Sequence, residues 1–140
     1  MAGSSMAFTY DDGADGAGFR AGIRRVLIDW TSDDTTGAVT GTTRKIVGEL
    51  IKGVTDPGSA APTANYDITI TDEEGANVLA ASADDLADRH TTSTETVYFL
   101  LSNGTTPIGA YPVVCDALTV AVANAGNSKT GQLILYYRPQ

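Results

Sequence analysis

The single histidine and the single cysteine are the first residues to test for catalytic chemistry. A serine or cysteine triad would have to use His90, because the chain has no other histidine. His90 ends a predicted short helix over residues 82–90, where a cation is simply favourable. Cys115 lies in a strand-like apolar segment, where a lone cysteine is typically a small buried hydrophobe. We therefore expect no catalytic residues and no enzymatic activity.

Two acidic clusters, residues 11–16 and 71–75, are the candidates for metal binding. Calcium needs six to eight oxygen ligands, and the first cluster lacks the spacing of a calcium-binding loop. After Asp15 the next acidic residue is Asp29, so none follows closely enough to close a site. One cysteine and one histidine also exclude a Cys/His zinc site and an intrachain disulfide. The sequence thus predicts solvated acidic turns, without a metal and without a cofactor.

Charge and hydropathy exclude several classes of partner. Seventeen acidic and nine basic residues give a net charge of −8, and the basic residues are scattered, so nucleic acid is not expected as a partner. No phosphate-binding glycine motif precedes a helix. Bulky apolar runs are far shorter than the ~20 residues that span a bilayer, and the N-terminus lacks the features of a signal peptide. We expect no membrane partner and synthesis in a cytoplasm.

The pattern along the chain predicts an all-β fold, an antiparallel β-sandwich of about seven to eight strands with at most one short helix. Period-two alternation is clearest in residues 22–31, 66–72 and 118–124. Residues 44–52 fit a helix face as well as a strand. Strands predicted over residues 118–123 and 131–138 flank a short polar turn, so we expect a C-terminal hairpin.

The first 22 residues are predicted to be an irregular N-terminal arm, in which residues 7–10 could form a short strand, followed by a single domain over residues 23–140. The arm has few large apolar residues, and its anchors are Phe8, Tyr10 and Phe19. These rings are expected to pack either on their own domain or on a neighbouring subunit. Tyr136 and Tyr137 are consecutive in a predicted strand, so one of them must point outward or towards a partner. These five aromatic residues are the candidate interface.

Two stretches resemble a known group of proteins. Residues 54–79, which run from Val54-Thr55-Asp56-Pro57-Gly58 to Asn77-Val78-Leu79, are similar to a segment of small β-rich virion proteins of tailed bacteriophages. Residues 118–137, which include Leu118-Thr119-Val120-Ala121-Val122, look like the closing hairpin of the same group. The resemblance covers about a third of the chain and carries no catalytic residues.

The resemblance implies a structural protein of the virion, made in the bacterial host cytoplasm. Its expected role is a capsid decoration or cement protein that binds and stabilises the assembled head. The expected partners are the major capsid protein or other virion subunits, together with further copies of the chain in a homo-oligomer, for which a trimer is favoured. The alternatives are a carbohydrate-binding β-sandwich module and a tail accessory protein of the virion.

Overall fold

The computed structural model describes residues 3–11, 22–79, 86, 89, 91–102, 106 and 108–139. These residues form seven strands joined in one antiparallel sheet, and none of them lies in a helix. The strands are β1 (Ser5–Asp11), β2 (Arg24–Thr31), β3 (Val39–Pro57), β4 (Asp67–Thr71), β5 (Glu95–Tyr98), β6 (Val113–Ala123) and β7 (Thr130–Pro139). The predicted all-β antiparallel class is therefore confirmed. The predicted helix over residues 82–90 lies almost wholly outside the described residues.

The long strand β3 belongs to both layers of a sandwich-like fold. Its first half pairs with β6, which pairs in turn with β4, and its second half pairs with β7 and β5. The strand order is β1-β2-β7-β3-β6-β4, and β5 pairs with β3. We call β1, β2, β7, the second half of β3 and β5 the first layer. The second layer consists of the first half of β3, β6 and β4.

The predicted C-terminal hairpin is wrong, because β6 and β7 do not pair with each other. Both strands pair with β3, which runs between them. The turn between them instead contacts the loop after β2, where Ser32 N–H donates to Lys129 O at 2.8 Å and Ser128 N–H donates to Asp33 O at 3.0 Å. Asn124 and Ser128 have positive φ angles, which lead the chain from one layer to the other.

The predicted period-two faces form the core. Val26, Ile28 and Trp30 of β2 are buried, and so are Leu118, Val120 and Val122 of β6. The Trp30 and Tyr66 ring centroids lie 5.6 Å apart, which packs the first layer against the residue before β4. Burial raises the pKa of the Tyr66 hydroxyl, which lies beside Thr55 inside the sandwich. Alternation in the sequence therefore identified the inward faces of these strands.

Part of the predicted irregular arm is a regular strand. Residues 5–11 form β1, which pairs with β2 along its full length. Met6, Phe8 and Tyr10 alternate with exposed residues and pack against the core, which explains the strand. Residues 44–52, which fitted either a helix or a strand, lie within the continuous strand β3. A β-bulge between Thr42 and Lys45 interrupts its pairing with β6.

The Asp33 carboxylate organises the loop after β2. It accepts hydrogen bonds from the Thr36 hydroxyl at 2.6 Å, the Thr36 and Thr35 N–H groups and the Gly37 N–H. These bonds, and the Thr36 hydroxyl above all, lower the pKa of Asp33 to about 2. The loop is thus held by a charged acceptor at the surface, as in an Asx turn.

Acid should weaken this loop. Because the folded pKa of Asp33 is below the unfolded value, its contribution to stability is present above about pH 4 and is lost as the pH falls towards 2. We expect Asp33→Asn to lower the free energy of unfolding near neutral pH, with the difference from the native chain shrinking between pH 4 and pH 2. Urea unfolding at several pH values measures this difference. Asp34→Asn removes a neighbouring charge as the control, and an Asp33→Asn deficit that persists at pH 2 would contradict the assignment.

Candidate binding surfaces

An apolar patch lies on the outer side of the fold, where β3 passes from one layer to the other. Val113 at the start of β6 is 75% exposed, Tyr98 at the end of β5 is 53% exposed, and Val47 of β3 is 40% exposed. Val47 pairs with Cys115, which is also exposed. We call Val47, Val113, Cys115 and Tyr98 the apolar patch. Three different strands supply it, and three of its members are among the five large hydrophobic side chains that are exposed in the described residues.

Pairing along β3 explains why these side chains lie together. Glu49 of β3 pairs with Val113, and Lys52 of β3 pairs with Tyr98. Because Glu49 and Lys52 are only three residues apart, Val113 and Tyr98 lie close to each other along the same edge of β3. The Glu49 carboxylate also lies 3.7 Å from the Arg138 guanidinium of β7. The patch is therefore an apolar surface with an ion pair beside it, which is typical of a site of protein contact.

Cys115 corrects the expectation of a buried cysteine. Val114 is buried and Cys115 is exposed, because successive residues of a strand point to opposite faces. The segment Val113-Val114-Cys115 is apolar on both faces, so the sequence alone did not fix which face points inward.

A second surface covers the outer face of the first layer and has three cross-strand rows. The cationic row is Arg25, Tyr136 and Lys52; the apolar row is Leu27, Ile134 and Val54; the acidic row is Asp29, Gln132 and Asp56. We call these nine residues the striped face. They alternate with buried residues of the same strands, such as Val26 of β2 and Leu135 of β7, so they point outward.

Side-chain contacts define the two charged rows. The Lys52 ammonium lies 4.6 Å from the Tyr136 ring centroid and 5.6 Å from that of Tyr98, which is within cation–π range. Arg25 Nε donates to Asp11 Oδ2 at 2.9 Å, and this bond raises the pKa of Arg25.

In the acidic row, Gln132 Nε2 donates to Asp29 Oδ1 at 3.0 Å, and Thr94 Oγ1 donates to Asp56 Oδ1 at 3.0 Å. A shallow concavity of about 510 Å³ lies over the acidic row. It extends over Ser5, Thr31 and Ser59 at the adjoining strand ends. This end of the striped face therefore offers carboxylate and amide groups in an open depression.

The four described residues of the predicted interface, Phe8, Tyr10, Tyr136 and Tyr137, do not share one exposed surface. Phe8 and Tyr10 are half-buried against the core of their own domain. The Tyr10 hydroxyl accepts a hydrogen bond from the Arg44 N–H at 2.7 Å, and the Arg44 guanidinium lies 4.1 Å from the ring centroid. Tyr137 is only 4% exposed and belongs to the core, whereas Tyr136 lies on the striped face. Phe19 lies outside the described residues.

Val47, Val113 and Cys115 were not among the predicted surface residues. Their signal was a run of consecutive apolar residues, such as Ile46-Val47 and Val113-Val114, in strands that otherwise alternate. Two neighbouring apolar residues in a half-exposed strand leave one of them on the outer face.

In the acidic cluster at residues 71–75, carboxylates accept hydrogen bonds from backbone N–H groups of the same chain. The Asp72 carboxylate accepts from the Glu74 and Ala76 N–H groups and shapes the turn after β4. Glu73 Oε1 accepts from the Ala117 N–H at 3.1 Å. Within the described ranges, no three His, Cys, Asp or Glu side chains lie close enough together to hold a metal ion. Asp12, Asp15 and His90 lie outside those ranges.

The described part of the chain contains no helix that could cross a membrane. No protein-family model matches the chain, and no curated protein matches its sequence. A solved structure titled "Structure of infectious bursal disease virus Gx strain" matches 96% of this chain and 32% of that chain, with 15% sequence identity and a TM-score of 0.33. This chain thus spans about a third of the length of that protein.

Proposed function

We propose that this chain is a non-enzymatic structural protein of a virus particle, and more specifically a capsid decoration protein of a tailed bacteriophage. The observation that supports the proposal is the apolar patch, an exposed apolar surface supplied by three strands. The resemblance of residues 54–79 and 118–137 to small virion proteins, drawn from the sequence alone, supports the major capsid protein or another virion subunit as the proposed partner. The particle is then its location, after synthesis in the host cytoplasm.

Docking through the apolar patch would stabilise the assembled shell by mass action. Burying a valine side chain contributes about 1.5–3 kcal/mol relative to leaving it in water. A protein that binds the assembled shell, and not its dissociated subunits, stabilises the shell by about 2.7 kcal/mol per site at a hundredfold excess over Kd. An oligomer that bridges several capsid subunits adds avidity to this gain.

Co-sedimentation tests the proposal directly. Purified chain is mixed with particles of the phage that encodes it, prepared from a mutant that lacks its gene, and the mixture is centrifuged. We expect saturable binding with a fixed number of copies per particle and an increase in the temperature at which the particles release their DNA. Chain that stays in the supernatant at every concentration would contradict the proposal.

The second candidate is a carbohydrate-binding module, which could also reside on a particle. The observation that favours it is the acidic concavity, since carboxylate and amide groups such as Asp29 and Gln132 are suited to bind sugar hydroxyls. The exposed Tyr98 ring supplies a stacking surface in the same layer. Pull-down with insoluble polysaccharides and a glycan array separates the two functions. Retention that is lost in Asp29→Ala, while particle binding is absent, would favour the carbohydrate module.

A further inference from the structure

The striped face has a charge pattern that is complementary to itself. On β2 a cation, an apolar residue and an anion follow at every second position, as Arg25, Leu27 and Asp29. Strand β3 repeats this order with Lys52, Val54 and Asp56. Between them β7 places Tyr136, Ile134 and Gln132 in the same three rows. Among these nine residues the two cations and two carboxylates cancel, and Asp11 of β1, which is ion-paired with Arg25, adds one negative charge beside them. The face is therefore nearly neutral, although the whole chain carries a net charge of −8.

A two-fold axis along the apolar row brings opposite charges together. When a second copy is turned over about this axis, its acidic row lies on the cationic row of the first copy. Arg25 then faces the other copy's Asp29, Lys52 faces its Asp56, and Ile134 packs on its own equivalent. Because the operation is a two-fold rotation, each charged contact forms twice.

The other face-to-face arrangement is disfavoured by the same charges. A two-fold axis parallel to the strands would place the cationic row on the cationic row of the second copy, and the acidic row on the acidic row. Like charges placed opposite each other at an interface are repulsive and suppress that arrangement. The charge rows therefore allow two copies to associate and also favour the orientation with the two-fold axis along the apolar row.

The available area is sufficient for a specific contact. The outer face of the whole first layer, in which β1 and β5 flank the striped face, has five strands spaced by about 4.8 Å; at an average of about seven residues per strand and about 3.3 Å per residue, its area is about 550 Å². Two such faces bury about 1,100 Å², which passes the ~1,000 Å² expected of a specific interface and lies at the low end of the range. Such an area fits a reversible dimer.

We propose that two copies of this chain associate through their striped faces as a symmetric dimer, with the cationic row of each copy on the acidic row of the other. The dimer covers the acidic concavity of both copies and leaves Val47, Val113 and Cys115 on the second layer open for another partner. A contact of this kind closes at two copies, whereas the trimer expected from the resemblance needs a heterologous interface. The inference goes beyond the proposed function and needs no particle; the two surfaces meet at Tyr98, whose ring lies beside Lys52 of the cationic row.

Charge reversal at one pair of positions tests the dimer. We expect light scattering after size exclusion, over a concentration series, to show the native chain approaching twice 14.5 kDa. Lys52→Glu places two carboxylates opposite each other, and Asp56→Lys places two ammonium groups opposite each other. Each single variant should dimerise at least about tenfold more weakly than the native chain, since both copies of the contact become repulsive.

Restored pairing separates the interface from a folding defect. The double variant Lys52→Glu/Asp56→Lys should dimerise as the native chain does. An equimolar mixture of the two single variants should form a heterodimer, in which every contact at these positions is again attractive. High salt should weaken the native dimer, because exposed ion pairs are screened.

Lys45→Glu is the matched control, because Lys45 is an exposed cation of β3 in the second layer. It changes the net charge as Lys52→Glu does and should leave dimerisation unchanged. A native chain that stays monomeric at all concentrations, or that forms a trimer, would overturn the proposal. A dimer that neither Lys52→Glu nor Asp56→Lys weakens would overturn it equally, and so would single variants whose mixture stays monomeric.

Discussion

Replacing Gly48 by alanine is expected to lower the free energy of unfolding by about 3 kcal/mol or more. Gly48 lies where β3 pairs with Val114 of β6 on one edge and with Pro139 of β7 on the other. Its φ of 153° is one that side-chain-bearing residues rarely adopt, and an added Cβ would overlap the Arg138 carbonyl oxygen. Backbone on both edges leaves little room to shift, so the junction between the layers would have to distort.

Urea unfolding measures the effect of Gly48→Ala as a change in midpoint at constant slope. Gly22→Ala is the control, because a Cβ at Gly22 meets nothing within 4 Å. We expect the control to change the free energy of unfolding by less than about 0.5 kcal/mol. A Gly48→Ala chain as stable as the control would contradict the pairing of β3 with both layers at this position.

Under the proposed function, replacing Val47 and Val113 together by threonine is expected to weaken binding to the virus particle about a hundredfold. Threonine keeps the β-branched shape of valine and its preference for strands, so the fold should tolerate both changes. At a dry protein contact, each added hydroxyl would be buried without a partner, at a cost of about 1–3 kcal/mol per site. The melting temperature should stay close to that of the native chain, because both side chains are substantially exposed.

Co-sedimentation with particles that lack the chain measures this loss as a change in Kd. Ile108→Thr is the matched control, because Ile108 is an exposed apolar residue that does not belong to the apolar patch. It should bind as the native chain does. If the Val47→Thr/Val113→Thr chain also binds as tightly as the native chain, the apolar patch is not the docking surface.

The sequence predicted the inward faces where one strand face is clearly polar. Period-two alternation was sufficient for Val26, Ile28 and Trp30, and again for Leu118, Val120 and Val122. It was insufficient where both faces carry apolar residues. At Val113-Val114-Cys115, for example, the choice of inward face depends on packing with residues far away in sequence.

Local sequence signals did not predict the order of the strands in the sheet. The short polar turn between β6 and β7 predicts a hairpin, because sequence neighbours usually pair. The sheet instead inserts β3 between them, which uses both edges of a 19-residue strand and pairs residues far apart in the chain. Nothing in the turn itself encodes that insertion.

The candidate surfaces depend on this order of strands. The striped face exists only because β7 lies between β2 and β3, which places Arg25, Tyr136 and Lys52 in one row. In the sequence these residues are separated by tens of positions and appear as scattered charges. Likewise, the sequence left open whether Phe8 and Tyr10 pack on their own domain or on a neighbouring subunit, and the pairing of β1 with β2 directs them towards the core.

The most direct measurement for the proposed function is a pair of cryo-electron microscopy reconstructions of the phage particle, from stocks with and without the gene for this chain. We expect the difference map to show density of the size of a 14.5 kDa domain at symmetry-related positions on the head. The outer side of β3 and β6, with Val47 and Val113, should face the shell. Identical maps would contradict a role in the particle, and density that turns this side towards solvent would contradict docking through the apolar patch.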